Sequence, residues 1–208
     1  GITYIEGDIV LDKNGKILTT FTAGADSNSY KTIIVRLNTD GSLDNSFATS
    51  GVFTLTYGLK NYSRNIIFYK NEIIVVVSAT QDNTVWAGQL LKLDQSGTPI
   101  NSWGVNGVMD YLTNSTGQQL GLMQARIYQD KIIVCGDDAN NFRLSALDAQ
   151  TGEIDLEFGG DGIYESDVAT PSYKGSWLHI DEVAKSIWIS GNAETSSANQ
   201  QIHVSKFK

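Results

Sequence analysis

Residues 36–51 read Arg36-Leu-Asn-Thr-Asp-Gly-Ser-Leu-Asp-Asn-Ser-Phe-Ala-Thr-Ser-Gly51, with carboxylates and amides crowded around a glycine as in a cation loop. An EF-hand loop needs oxygen ligands at positions 1, 3 and 5, a glycine at 6 and a bidentate Glu at 12. Counted from Asn38, Asp40 falls at position 3, but Gly41 already stands at position 4 and no Glu closes the loop. Two later stretches repeat the pattern, Lys92-Leu-Asp-Gln-Ser-Gly-Thr-Pro-Ile-Asn-Ser-Trp-Gly-Val-Asn-Gly107 and Ala146-Leu-Asp-Ala-Gln-Thr-Gly-Glu-Ile-Asp-Leu-Glu-Phe-Gly-Gly-Asp-Gly162. The first of these sets Gln95, Ser96 and Thr98 where ligands would be needed. All three copies keep a turn glycine (Gly41, Gly97, Gly152) and an aromatic four residues ahead of a second glycine: Phe47 and Gly51, Trp103 and Gly107, Phe158 and Gly162. What recurs is a turn and a buried aromatic, not a ligand set. Asn38, Asp94 and Asp148 are expected to form Asx turns, and the aromatics to pack between neighbouring repeats.

A second module recurs four times: Lys16-Ile-Leu-Thr-Thr-Phe21, Glu72-Ile-Ile-Val-Val-Val77, Lys131-Ile-Ile-Val-Cys-Gly136 and Lys185-Ser-Ile-Trp-Ile-Ser-Gly191. Each follows another short apolar segment and a polar turn, as in Asp8-Ile-Val-Leu-Asp-Lys-Asn-Gly15. Short runs rich in Ile, Val, Tyr and Phe, bounded by Gly, Asn and Asp, predict strands joined by hairpins. No amphipathic helix is predicted. Arg36, Lys92, Ala146 and Lys206 hold matching positions at intervals of 56, 54 and 60 residues. About four strands in such a period predict an all-β propeller of four blades, each of four antiparallel strands A to D. The blades fall at about residues 8–57, 64–112, 125–168, and 177–208 completed by 1–5.

Gly1-Ile-Thr-Tyr4 matches Gly51-Val-Phe-Thr54, so the chain is expected to open with a D strand that pairs beside the C strand at 202–207 and closes the ring. The alternative is a segment of a larger propeller.

The stretch at 36–51 resembles the delta-60 repeat, RLNxDGSLDxSFGxxG, with Ala48 at the usual glycine. Lys131-Ile-Ile-Val-Cys-Gly136 is similar to the strand that follows it in that family. Leu147-Asp-Ala-Gln-Thr-Gly-Glu153 also resembles the turn of quinoprotein-type propellers. The resemblance implies a propeller-like repeat of bacterial secreted or surface proteins, usually without an assigned catalytic activity.

With 208 residues, 41% of them hydrophobic and a net charge of -8, the chain can bury a core but lacks the basic clusters that a phosphate backbone demands. No eighteen-residue apolar run predicts membrane insertion. The single cysteine, Cys135, sits in an apolar run and is expected to be a buried inert thiol. His179 and His203 lack a second His or Cys at zinc spacing, and no G-x-S-x-G or phosphate-binding loop occurs. Asn61-Tyr-Ser63 and Asn114-Ser-Thr116 fit the glycosylation sequon.

Function is therefore expected in the connections that do not repeat. The B–C and D–A connections of a propeller share one face, and here they combine aromatics with Asp, Asn and Gln, which suits a protein or carbohydrate ligand. The candidate ligand-binding residues are Tyr30, Tyr57, Tyr62, Asp82, Trp86, Tyr111, Asp137, Asp138, Tyr173 and Trp177. The expected protein is a non-enzymatic binding or structural module, extracellular or at a bacterial envelope, without a cofactor. The alternative is a calcium-assisted hydrolase or lactonase with Asp8, Asp26, Asp82 and Asp137 around a central channel.

Overall fold

The computed structural model describes residues 3–26, 28–80, 86–110, 121–137, 142–165, 173–196 and 199–207, and their regular structure is entirely β. Among the described residues fifteen strands form four antiparallel sheets in chain order. The first holds β1 (Thr3–Leu11), β2 (Ile17–Gly24), β3 (Lys31–Leu37) and β4 (Val52–Thr54); the second β5 (Lys60–Tyr69), β6 (Glu72–Thr80), β7 (Trp86–Leu93) and β8 (Val108–Asp110). The third holds β9 (Gly121–Tyr128), β10 (Lys131–Asp137), β11 (Phe142–Asp148) and β12 (Ile163–Glu165). The fourth has three strands among the described residues, β13 (Tyr173–Asp181), β14 (Ser186–Ser196) and β15 (Asn199–Phe207). Residues 1–112 and 113–208 form two compact units of two sheets each. We call the sheets blades 1 to 4.

The opening strand departs from the sequence expectation. Thr3, Tyr4 and Ile5 belong to β1 and pair with Gly24, Ala23 and Thr22 of β2, so they extend the A strand of blade 1 and are not a separate D strand. The reason is a β-bulge repeated in every A strand: the register shifts between Ile5 and Asp8, between Ser63 and Asn65, between Leu122 and Gln124, and between Gly175 and Trp177. A bulge inserts an unpaired residue and bends the strand, so the side-chain alternation changes phase there and the segment before it no longer matches the repeat. The same effect moves the expected D–A connections: residues 60–64 and 173–177 lie in β5 and β13 rather than in loops.

The core forms where one face of a sheet meets the next. In residues 1–112, Leu18, Ile34, Phe47 and Leu55 of blade 1 pack on Ile66, Ile73, Val75, Val77, Leu91 and Leu93 of blade 2. In residues 113–208, Ile133, Cys135, Leu144 and Ala146, with Phe158 and Tyr164, pack on Leu178, Ile180, Ile187 and Ile189 of blade 4. These are the same repeat positions used twice. Burying each large aliphatic side chain contributes roughly 1.5–3 kcal/mol, so these faces supply most of the driving force. Cys135 is buried there, in line with its sequence context.

Candidate functional site

The repeated C–D segment is built as an anchor. In blade 1 the Asp44 Oδ2 atom accepts from Lys16 Nζ at 2.6 Å and from Arg36 Nε at 2.7 Å, while Oδ1 accepts from the Ser46 hydroxyl at 2.6 Å and the Ser46 amide at 3.1 Å. The Lys16 bond, then those from Ser46 and Arg36, hold the carboxyl far below the ordinary range although burial opposes this. Arg36 also donates through Nη1 to the Gln95 carbonyl of blade 2, and its Cζ lies 4.7 Å from the Phe47 ring centroid. Phe47 is fully buried and lies on the turn of the next blade: a Cβ on Gly97 would come within 2.7 Å of the ring. The glycine after each aromatic adopts a positive φ, 91° at Gly51, 78° at Gly107 and 88° at Gly162, which lets the chain leave the aromatic and enter the D strand.

The other copies keep the geometry, and one of them exchanges the charges. Lys131 and Asp155 of blade 3 stand where Lys16 and Asp44 do, 3.3 Å apart. Blade 2 places Ile100 at the Asp44 position and Glu72 at the Lys16 position, and Glu72 pairs at 2.7 Å with the buried Lys92, the counterpart of Arg36. The Lys92 ammonium lies 4.4 Å from the centroid of Trp103, itself fully buried. Phe158 is half-buried against the blade 3–blade 4 core. Asp94 and Asp148 accept backbone amides as Asx turns do, at 2.8–2.9 Å. In blade 1 that role passes to Asp40, which accepts from the Ser42 amide, while the Asn38 amide donates to the Ser42 hydroxyl.

The carboxylates considered for calcium do other work where they are described. Asp8 Oδ2 accepts the Ile66 amide at 3.1 Å and Asn65 Nδ2 at 2.6 Å, linking blade 1 to blade 2 just past the bulge. Gln124 occupies the same position in blade 3 and accepts the Leu178 amide of blade 4. A neutral amide replaces the carboxylate, so the site calls for a hydrogen-bond acceptor and not for charge. Asp26 closes its own turn by accepting the Asn28 amide at 2.7 Å. Asp82 lies outside the described residues, and Asp137 is placed by its backbone alone at the end of β10.

Three of the remaining candidates, Tyr30, Tyr57 and Tyr62, lie at the opposite end of the sheets, at the blade 1–blade 2 junction. Tyr30 and Tyr62 meet edge to face with centroids 5.4 Å apart, and Arg64 Cζ lies 5.8 Å from the Tyr62 ring. Burial, and then Tyr30, push the Tyr62 hydroxyl pKa up. Tyr57 donates to Asp110 Oδ2 at 2.8 Å, and Gln89 donates to Asp110 Oδ1 at 2.6 Å. Lys31 holds the connecting loop by donating to the carbonyls of Gly58 and Leu59 at 2.9 and 3.0 Å, and its burial lowers its pKa. Asn61, a sequon residue, is fully buried: it accepts the Thr32 amide and donates to the Tyr57 carbonyl at 2.7 Å, so it has no free amide to offer a glycan.

Sequence reasoning missed Asp110, Gln89, Lys31 and Arg64. The signal for Asp110 was its place at the end of a D strand, opposite Gln89. Trp177 does not join this cluster. It is mid-strand in β13, 64% exposed on the sheet surface, because the A strand runs on past its bulge. Trp86 and Tyr173 open β7 and β13 and are placed by backbone alone, whereas Tyr111 and Asp138 lie outside the described residues.

Residues 13–47 match a family model described as a domain of unknown function (DUF5122) beta-propeller. None of the curated proteins compared with the chain matches it. Among solved structures, the chain is similar to a protein of unknown function from Dyadobacter fermentans, with 11% identity over 94% of this chain and 58% of that one and a TM-score of 0.55. It is also similar to the Bacteroides ovatus Xyloglucan PUL GH43B (10% identity, 99% and 39% of the two chains, TM-score 0.50). A third likeness is to NanB solved with Optactamide (13% identity, 97% and 30%, TM-score 0.51). The chain thus spans between 30% and 58% of the length of these three. With four antiparallel sheets and a propeller-repeat match across β2 and β3, the fold of this chain is a β-propeller.

Proposed function

We propose that this chain is a non-enzymatic binding or structural module of the delta-60 repeat kind, from a bacterial secreted or surface protein. It recognises a protein or carbohydrate ligand at the end of the sheets that holds Tyr30, Tyr57 and Tyr62. One observation carries this reading: flat aromatic area and directed polar groups stand side by side on a supported frame. The Tyr30–Tyr62 pair adjoins Arg64, and Tyr57 is set by Asp110, whose oxygens also hold Gln89. Such rings offer apolar contact to a sugar face or a peptide side chain while the amide, guanidinium and hydroxyl groups fix orientation. Because Asp110 is engaged by both neighbours, its role here is positioning rather than proton transfer. No cofactor enters this reading.

The test is a panel of bacterial surface glycans and extended peptides titrated against intrinsic fluorescence, repeated with Tyr62→Ala and Tyr57→Phe. A ligand bound by the wild type and weakened at least about tenfold by Tyr62→Ala, with the fold intact, supports the proposal. Binding that is indifferent to both substitutions contradicts it.

A further inference from the structure

Blade 1 meets blade 2, and blade 3 meets blade 4, through the same apolar positions. Leu18, Phe68 and Ile73 at the first junction correspond to Ile133, Ile180 and Ile187 at the second. At the first junction a cavity of about 210 Å³ lies against these side chains. Leu18 and Ile73, each 1% exposed, form its floor, and the half-buried Phe68 is a wall. Its mouth is at the A–B turns of the two blades, where Lys13, Lys70 and Asn71 are exposed. Lys13 Nζ donates to Asn71 Oδ1 at 2.6 Å and so ties the two turns together.

The charges around this cavity are not part of the repeat. Lys13, Arg36 and Lys70 line it, and the strand registers put Gln129, Ala146 and Glu182 at the corresponding positions of the blade 3–blade 4 junction. Against these cations stands one carboxylate among the described lining residues, Asp12, whose Oδ1 already accepts the Asn14 and Lys16 amides at 2.8 and 2.9 Å. Arg36 turns its donors to Asp44, the Gln95 carbonyl and Ser46, so it contributes charge from beneath rather than a ligand contact. Because Arg36 and Lys16 share the Asp44 carboxylate, that group is cationic as a whole. Cations set around low-dielectric walls focus a positive potential into the cavity, in a chain whose net charge is -8.

We propose that this cavity binds a small carboxylate with an apolar body. The body lies between Leu18, Phe68 and Ile73, and the carboxylate meets Lys13 and Lys70. An apolar cavity of about 150 Å³ takes up benzene, so this one has room for a ring and a carboxylate. Sulfate or phosphate would set a strongly hydrated ion against apolar side chains, and a neutral hydrocarbon would gain nothing from the lysines. An ammonium carries three donors, so Lys13 keeps its bond to Asn71 while it takes a carboxylate oxygen.

Benzoate titrated into the isotope-labelled 208-residue chain tests this. The amide chemical shifts of residues 12–18 and 68–73 should move and saturate, with a Kd at or below about 1 mM. Lys13→Gln and Lys70→Gln change exposed turn positions, and circular dichroism checks that each variant folds. Each should weaken benzoate at least about fivefold, and benzamide, of the same shape without the charge, should bind at least about tenfold less tightly. Tyr62→Ala, at the other end of the junction, should leave the affinity unchanged, and equimolar sulfate should not displace benzoate. The proposal is overturned by the lack of a saturable shift up to about 10 mM, or by shifts confined to other residues. Benzamide binding as tight as that of benzoate, displacement by sulfate, indifference to both lysine substitutions or a loss caused by Tyr62→Ala would overturn it equally.

Discussion

At one end of the blade 1–blade 2 junction Phe47 lies on Gly97 and Arg36 reaches Gln95; at the other end Tyr30 meets Tyr62 beside Arg64, and Tyr57 is held by Asp110. The first arrangement recurs along the chain, as Lys16–Asp44 in blade 1 and Lys131–Asp155 in blade 3, and with its charges exchanged as Lys92–Glu72 in blade 2. The second is seen once among the described residues. A position that keeps its geometry while its chemistry changes serves packing, because packing needs only a filled volume and a balanced charge. An unrepeated cluster held by hydrogen bonds is free to match a particular ligand.

That contrast can be broken by substitutions at equivalent positions. Asp44→Ala leaves the buried Arg36 without its carboxylate and should cost about 3 kcal/mol in urea denaturation. Asp155→Ala removes a pair whose two side chains are both partly exposed, and should cost under about 1 kcal/mol. Equal costs at the two sites would contradict the difference in burial between them. Acid titration sharpens the same point. The Asp44 pKa is depressed in the folded chain, so its stabilisation is complete above the unfolded carboxylate value of about 4 and declines as pH falls below it. Asp44→Asn should be less stable at neutral pH and lose less than the wild type between about pH 5 and 2. A wild-type-sized acid loss in the variant would remove Asp44 from the account.

Smaller effects belong to the other end. Tyr62→Ala should cost about 1 kcal/mol through the lost ring contact with Tyr30, and Tyr57→Phe no more than about 1 kcal/mol through one hydrogen bond. A loss of several kcal/mol at either residue would make the cluster a second structural anchor. Calcium should have the smallest effect of all: thermal melts with calcium and with chelator should coincide. Among the described residues no three His, Cys, Asp or Glu side chains gather as a site would require. A shift of several degrees would return the carboxylate reading.

Sequence carried the B and C strands, the turn glycines and the aromatics, because alternating apolar residues and a fixed aromatic-to-glycine spacing survive in every copy. It did not carry the segments before the bulges. Lys60-Asn-Tyr-Ser-Arg64 is polar enough to look like a loop, and Gly1-Ile-Thr-Tyr4 resembles a D strand in composition alone. Nor did it carry contacts between distant residues: Tyr57 and Asp110 are 53 positions apart, and Lys16 and Asp44 are 28 apart. One such contact did leave a trace. Where Asp44 and Asp155 become Ile100, the lysine at the head of the B strand becomes Glu72, a compensating exchange visible when the copies are aligned.

The repeated aromatic as an anchor between blades is tested most directly by a double-mutant cycle at Phe47 and Gly97. Gly97→Ala places a methyl within 2.7 Å of the Phe47 ring and also strains a φ of 83°, so only the first cost depends on Phe47. In denaturant unfolding, Phe47→Ala should cost about 3–5 kcal/mol, and Gly97→Ala should cost at least about 1 kcal/mol less in the Phe47→Ala background than in the wild type. Additive costs would mean that the ring and the turn do not meet, and that the recurring aromatic does not join one blade to the next.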